Sequence, residues 1–494
     1  MAQQIATQAD ARRGPSRAVL GTFAITSLAL FMVSLDNLVV TTALPVIRES
    51  LGASLSQLEW TVNAYTLTFA VLLLTGAALG DRFGRKGVFI GGVALFTTGS
   101  AFAALAPSGD ALVIARAIQG VGAAVVLPLT LTILSAAVPA ERRGLALGAW
   151  GAIAGLAIAL GPVVGGAITE GLSWQWIFWL NVPLGIVLVP LAAILLSESF
   201  GPDGALDIPG LGLASGGLFA LVWALIHGND SGWTSTEILG AFAAAAVLLA
   251  GFVAWEVRTP NPMLPMRFFR SRAFSAANGV SILMSFGLFG SIFLLAQFFQ
   301  FVQGYTPLEA GVRTLPWTLM PIFVAPIAGV LSDRIGSRPL LVVGMALMAA
   351  ALAWIAAVAT PTVEYLVLAP AFVTAGVGMS LFFAPTANLV LSAVRPAEEG
   401  RASGINNTIR EIGGVFGVAV LASVFAAKGS YASPQAFVDG MTPALWVGAA
   451  VAGLGSVVAL AIPGRRLLAG VHLPEVPSLS ELGVAQPVAV RADD

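Results

Sequence analysis

Apolar residues in this sequence do not form the narrow stripes of a water-soluble helix. They form long runs, broken by short polar segments. About 20 apolar helical residues cross a bilayer core, and by that measure the pattern predicts fourteen spans. Six fall at 18–47, 58–80, 87–107, 111–135, 144–169 and 174–196, and a pair at 208–228 and 235–256. The last six fall at 274–303, 312–331, 339–359, 365–392, 402–427 and 442–463. The expected fold class is an all-α integral membrane protein of 14 transmembrane helices, two six-helix halves with an inserted central helix pair. The segments are then 1–17, a cytoplasmic N-terminal stretch; 18–197, the first half; 198–257, the inserted pair; 258–463, the second half; and 464–494, a disordered cytoplasmic tail. The polar opening MAQQIATQADARRGPSR precedes an apolar run of about 30 residues with no small-residue cleavage pattern. A secretory h-region spans about 7–15 residues, so this run reads as an uncleaved first span.

Charge placement tests the count independently. With the N-terminus cytoplasmic, the inner segments hold Arg12, Arg13, Arg17, Arg82, Arg85, Lys86, Arg142, Arg143, Arg258, Arg267, Arg270, Arg272, Arg334, Arg338, Arg395, Arg401, Arg465 and Arg466. The outer loops hold only Arg48, Arg313 and Lys428, a ratio of 18 to 3. A missed or invented helix would invert every later loop and destroy this positive-inside bias. Both termini are therefore expected on the inner, cytoplasmic side of the membrane. GDRFGRK at 80–86 follows the second span and SDRIGSR at 332–338 the tenth. That repeat places one copy after the second helix of each six-helix block, and parallel repeats of this kind mark transporters.

Composition sharpens the class. The chain is 57% hydrophobic and 10% charged, with a mean hydropathy of +0.90, whereas a soluble domain is about 25% charged. A net charge of −1 points to no nucleic-acid partner. With no Cys and two His, neither disulfides nor a Cys/His metal site is expected. No GxxxxGK[ST] loop supplies nucleotide energy, and no catalytic constellation appears, so no enzyme activity and no cofactor are expected.

LDNLVVTTALP (35–45), GAALGDRFGRK (76–86), RAIQGVGAAVVLP (116–128) and GPVVGG (161–166) resemble successive signatures of the major facilitator superfamily. WIFWLNVPLG (176–185) and GRASGINNTIREIGG (400–414) are similar to the fourteen-helix drug:proton antiporter branch, the EmrB/QacA type. The likeness covers nearly the whole membrane region in order. It departs at Ala77, where the motif usually has Gly although Gly76 adjoins; at Gln175, usually basic; and at Glu411, where many relatives carry Gln.

The intramembrane polar residues are the candidates for function. An ionised Asp near mid-helix costs about 2.5–3.5 kcal/mol on insertion scales. Asp36 is therefore either a static buried ion-pair member or a carboxylate that exchanges protons. Ser27, Ser34, Asn37 and Thr41 share another stripe of its helix, so the helix is polar on two sides and expected to sit centrally. Arg116 lies in the outer third of the fourth span, with Asp36 somewhat deeper on the first, an offset an Arg side chain can bridge, and it shares a face with Gln119, Ala123 and Thr130. It is either the partner of Asp36 or a snorkelling headgroup contact. The resemblance implies that this arginine takes part in proton coupling. Glu411 is the second membrane acid, with Arg410 pointing about 100° away and Ser403, Asn407, Arg410 and Gly414 sharing a face. A proton site, a counter-charge for a cationic substrate and a structural ion pair all fit it.

The loops carrying Gly80, Asp81, Arg82, Gly84, Arg85 and Lys86, and Asp333, Arg334, Gly336 and Arg338, are tight turns. Their charges can pair across the seam between halves, and the resemblance implies a conformational latch. Gly148, Gly151, Gly155, Pro162 and Gly166 line one face of the fifth span, with Gly161 and Gly165 beside it; the resemblance implies an antiporter helix, and close packing is the plain alternative. Asn278, Ser281, Ser285, Gln300 and Gln303 stripe the ninth span, with Gln297 about 60° off. They suit a greasy substrate cavity, together with Asn37, Gln119, Asn407 and Arg410, or simple helix–helix hydrogen bonds.

The expectation is a proton-coupled exporter of amphipathic or cationic small molecules working by alternating access. Its partners are a small-molecule substrate, protons and membrane lipid, and its expected state is monomeric. A dedicated exporter of one endogenous metabolite, antibiotic or lipid is the nearest alternative, and a transport-dead membrane sensor the more distant one.

Overall fold

The computed structural model describes residues 17–200, 206–395 and 398–464. Among these residues there is no β-strand, and fourteen helical rods account for the membrane-length structure. In the first half they are α1 Arg17–Leu51, α2 Leu55–Phe83, α3 Arg85–Ala104, α4 Gly109–Ala137, α5 Ala140–Gly171 and α6 Trp176–Leu195. The inserted pair is α7 Ile208–Ser231 and α8 Thr236–Arg258. The second half holds α9 Arg272–Val302 and α10 Pro307–Ser332, then α11 Ser337–Val358, α12 Tyr365–Ser392, α13 Glu399–Lys428 and α14 Pro434–Ala459. Thirteen of these are long and apolar enough to cross a membrane. The fourteenth, α5, runs for 32 residues.

Rod ends differ from the hydropathy boundaries for local reasons. The second helix starts at Leu55, three residues early, because Ser54 and Gln57 form a reciprocal capping box. The tenth starts at Pro307 for the same reason, with Thr306 and Glu309 as the box. Helix α14 starts at Pro434 because Ser433 caps the Ala436 amide at 3.1 Å. A hydropathy window misses these polar first turns. The first helix spans 35 residues, about 50 Å at 1.5 Å per residue, well beyond a ~30 Å hydrocarbon core.

Small residues set the closest approaches. A Cβ on Gly120 of α4 would lie 2.4 Å from the Tyr65 carbonyl of α2, and one on Gly417 of α13 only 2.2 Å from the Phe286 carbonyl of α9. Within the first half α2 packs on α4, α3 on α4 and α1 on α5; within the second, α9 packs on α13 and α11 on α12 and α14. The inserted pair packs on itself, and α7 also seals against both halves. There Leu218, Val222 and Ile226 meet Leu67 and Val71 of α2 and Val415 and Ala419 of α13. Helix α8 turns large apolar side chains outward, among them Leu239, Val247 and Val253.

The repeated loops form matching turns. Gly84 adopts φ +103° and Gly336 φ +87°, a region that favours glycine, and each is followed at once by a new helix.

Candidate functional site

Five helices of the first half converge on Asp36. Its carboxyl is buried and forms an ion pair with the fully buried Arg116, Nη1 of which donates to Asp36 Oδ2. Gln119, one helical turn along α4, donates from Nε2 to Asp36 Oδ1 at 3.2 Å and accepts from Arg116 Nη1 at 2.9 Å. Asn181 of α6 donates to Asp36 Oδ1 at 2.8 Å. Ser100 of α3 accepts from both amides, at 2.6 Å from Gln119 and 3.1 Å from Asn181. From α2, the Thr61 carbonyl accepts from Arg116 Nε at 3.1 Å, and the Tyr65 ring lies 4.1 Å beneath the guanidinium. Tyr65 is fixed in turn by donating to the Val33 carbonyl at 3.2 Å. Three donors and no acceptor face the Asp36 carboxyl, a set that suits the anion. Arg116 Nη2 is left with no hydrogen-bond partner.

This cluster contains residues that sequence reasoning missed. Asn181 stands inside WIFWLNVPLG, in the second turn of α6. Ser100 and Tyr65 carried no positional signal. Gln119, expected in a substrate cavity, is fully buried and belongs to the Asp36 network.

The amide stripe of α9 is largely spent on holding the bundle together. Asn406 of α13 donates to Asn278 Oδ1 at 3.0 Å and to Ser281 Oγ at 2.8 Å. Gln297 donates to the Phe293 carbonyl at 2.9 Å and accepts from the Tyr431 hydroxyl. Gln303 donates to the Pro361 carbonyl at 3.1 Å. Helix-to-helix bonding thus describes these residues better than an open cavity wall does.

Three further side chains of α13, on different faces, keep unpartnered atoms. Arg410 donates to Asn407 Oδ1 at 3.3 Å and lies 4.8 Å over the Phe383 ring, but its Nε has no partner. Thr408 Oγ1 and Glu411 Oε2 are also unpartnered, and no ion pair joins Arg410 to Glu411. Glu411 lies within electrostatic range of Tyr65, across the interface from the Asp36 cluster. Asn37, Asp333, Gly148, Gly151 and Gly155, expected above as site residues, lie outside the described side chains.

The Major Facilitator Superfamily model matches residues 26–418. This chain belongs to that superfamily. The facilitator is 33% identical over 448 residues to the tetracenomycin C resistance and export protein of Streptomyces glaucescens, covering 90% of this chain and 83% of that one. It is 36% identical over 414 residues to the multidrug resistance protein Stp of Mycobacterium tuberculosis, covering 83% and 77%. An auto-inhibited POT family peptide transporter superposes at a TM-score of 0.65 with 15% identity, covering 94% of this chain and 99% of that one, which shows the shared fold.

The two halves of this facilitator are sealed at the end opposite the glycine turns. Gln300 of α9 donates to the Thr42 carbonyl of α1 at 2.7 Å, and the Leu308 amide donates to Glu170 at 3.2 Å. Arg48 lies 3.6 Å over the Tyr431 ring. Burial pushes the Tyr431 hydroxyl above the ordinary phenol range, against the pull of Arg48, so it remains a neutral donor to Gln297. A Cβ on Gly166 would lie 2.3 Å from the Pro307 carbonyl, and one on Gly311 2.2 Å from the Pro162 carbonyl. Gly161 and Gly165 meet Leu38 and Val39 of α1 instead, so the GPVVGG turns of α5 serve two partners.

At the other end, the described contacts of the first glycine turn lie within its own half. Asp81 accepts from Arg85 Nε at 2.9 Å, one turn away in its own loop. Glu198, just after α6, accepts from the Lys86 and Gly87 amides at 2.8 and 3.2 Å, placing a negative charge on the α3 N-terminus. Arg82 and Arg338 are exposed, as is Arg334. Gly80 packs on Leu129, where a Cβ would sit 2.3 Å away. Gly76 has no room for a Cβ beside the Ala124 carbonyl, so it supplies the close approach despite Ala77.

Proposed function

We propose that this facilitator is a proton-coupled exporter of amphipathic or cationic small molecules, of the fourteen-helix drug:proton antiporter branch. It sits in a bacterial plasma membrane with both termini cytoplasmic, so the glycine-turn end faces inward. The observation that carries the reading is the Asp36 cluster: one buried carboxylate held by a guanidinium and two amides drawn from two other helices. Any rocking of α1 against α4 and α6 changes how many donors reach that carboxyl. Arg116 close by favours the anion; Arg116 withdrawn in a dry site favours the neutral acid.

The state described has the outward end closed, Asp81 held by Arg85 rather than by the other half, and Asp36 fully donated to. It corresponds to the deprotonated form that takes substrate from inside. Substrate binds near the unpartnered groups of Thr408, Arg410 and Glu411, where Glu411 supplies counter-charge. The halves rock, Asp36 loses Arg116 and takes a proton from outside, and substrate leaves. The return stroke delivers the proton inward. One charge moved through 100 mV supplies about 2.3 kcal/mol.

Relatives named for export of antibiotics and for multidrug resistance support efflux, and leave one substrate or many as the open branch. A dye- and drug-resistance panel in a pump-deficient host separates the two: protection against several unrelated amphiphiles supports multidrug export, and protection against a single compound supports a dedicated exporter. Proton flux in liposomes on adding substrate tests coupling itself. Substrate movement without proton flux contradicts it.

A further inference from the structure

A second buried acid stands outside the Asp36 cluster. Glu59 of α2 is 3% exposed, and Asn63, one turn deeper on the same face, is 0% exposed. Glu59 Oε2 has no hydrogen-bond partner, and neither Nδ2 nor Oδ1 of Asn63 has one. No ion pair reaches Glu59 among the described residues. This face of α2 continues into Leu67 and Val71, which meet α7 and α13. The junction is tied beside it by Asn229 of α7, which donates to the Ser423 carbonyl of α13 at 2.6 Å. It therefore joins the first half, the inserted pair and the second half, at the closed end.

Charged groups facing Glu59 are few. Asp230, exposed in the last turn of α7, lies within electrostatic range. Across the seam stands Tyr431 with Arg48 stacked on it. Helix α13 offers no charge between Glu411 and Lys428, and α2 offers none between Glu59 and Asp81. An ionised Glu59 would thus be an unpaired buried anion beside another acid, which is a costly arrangement. An ionised carboxylate is acceptor-only and can use only the NH₂ of Asn63. A neutral carboxyl can also donate to Asn63 Oδ1, which has no other donor, and residues four apart on a helix face each other.

We propose that Glu59 is a second proton-binding carboxylate, neutral while this end of the bundle is closed, with the unbonded Asn63 amide one turn away on the same face and α7 as the wall that buries it. One proton from solution at that end forms the O–H bond on Glu59 as the seam shuts. It returns to solution when the seam opens and water reaches the carboxyl. Closure of this end is then assisted by acid, and the inserted helix pair forms part of the gate. The proposal rests on the alternating-access reading but not on coupling through Asp36.

The chain has no native cysteine, so Leu105→Cys and Gln435→Cys, both exposed at this end on opposite halves, can carry spin labels. In nanodiscs with one pH on both faces, the short-distance population is expected to grow as pH falls. Glu59→Gln is expected to hold it at the closed value at every pH, and Glu59→Asp to restore the response. An unchanged response in Glu59→Gln overturns the assignment. A wild-type protein with no response also overturns it and leaves the export reading to the liposome assay. Where Glu59→Gln does not fold, infrared difference spectra of the wild type decide. A neutral-carboxyl band that survives Glu411→Gln, Asp36→Asn and Glu256→Gln supports the site, and its absence at neutral pH overturns it.

Discussion

Asp36 and Arg116 neutralise each other in a place where neither could stand alone. Removing one partner of a buried pair costs about 3–5 kcal/mol, so Arg116→Leu is expected to lower thermal stability clearly while Arg116→Lys keeps part of it. Equal melting temperatures for Arg116→Leu and wild type would show the pair to be energetically idle. Asn181 contributes a charge-assisted hydrogen bond worth about 1.5–3 kcal/mol, and 1.4 kcal/mol is about a factor of ten in rate. Asn181→Leu is accordingly expected to slow gradient-driven efflux about tenfold or more in initial-rate measurements; an unchanged rate contradicts its place in the cluster. Asp36 was legible from sequence because one carboxylate interrupts an apolar run. Asn181 and Ser100 were not, since a single amide or hydroxyl makes no stripe. Their meaning comes from α3 and α6 arriving at α1, which is a tertiary event. The α9 amides were legible as polar but not as already bonded, because their partners at Asn406, Thr42 and Pro361 are 58 to 258 residues away.

Helix ends and crossings decide how the halves meet. Gly166 touches the start of α10 so closely that Gly166→Leu must push the Pro307–Leu308 backbone away. Overpacking of this kind costs about 1–3 kcal/mol, and it falls only on the state closed at this end. The variant is expected to shift the Leu105–Gln435 label distances toward the open population; an unshifted distribution would show α5 and α10 separate without cost. At the opposite end Glu398 accepts from Arg395 at 2.9 and 3.1 Å and pairs with Arg267. Arg395 above all holds its carboxyl below the usual carboxylate range. That contribution is complete at neutral pH and is lost only as pH falls below the ordinary carboxylate range. The bridge is exposed and worth little, so Glu398→Gln is expected to change neutral-pH melting slightly and to flatten its decline in acid. The fourteen rods themselves were legible, because apolar length and positive-inside charge are properties of the chain alone. Rod starts at Leu55 and Pro307 were missed, although the S-x-x-Q and T-x-x-E boxes that set them stand in the sequence.

As a whole the molecule is two helical halves, sealed at one end by small residues and side-chain-to-backbone hydrogen bonds, with charged turns at the other. The inserted pair is packed into the seam between the halves through α7, so it is part of that interface rather than an appendage. Three acids stand inside the bundle: Glu59 near the closed end, Asp36 within the first half, and Glu411 on α13 of the second. The central claim concerns the middle one. It is tested by comparing wild type and Asp36→Asn in liposomes, with substrate exchange at equal pH measured beside efflux driven by a pH gradient. The account predicts that Asp36→Asn keeps exchange and loses gradient-driven accumulation. Gradient-driven efflux at the wild-type rate in Asp36→Asn would contradict it.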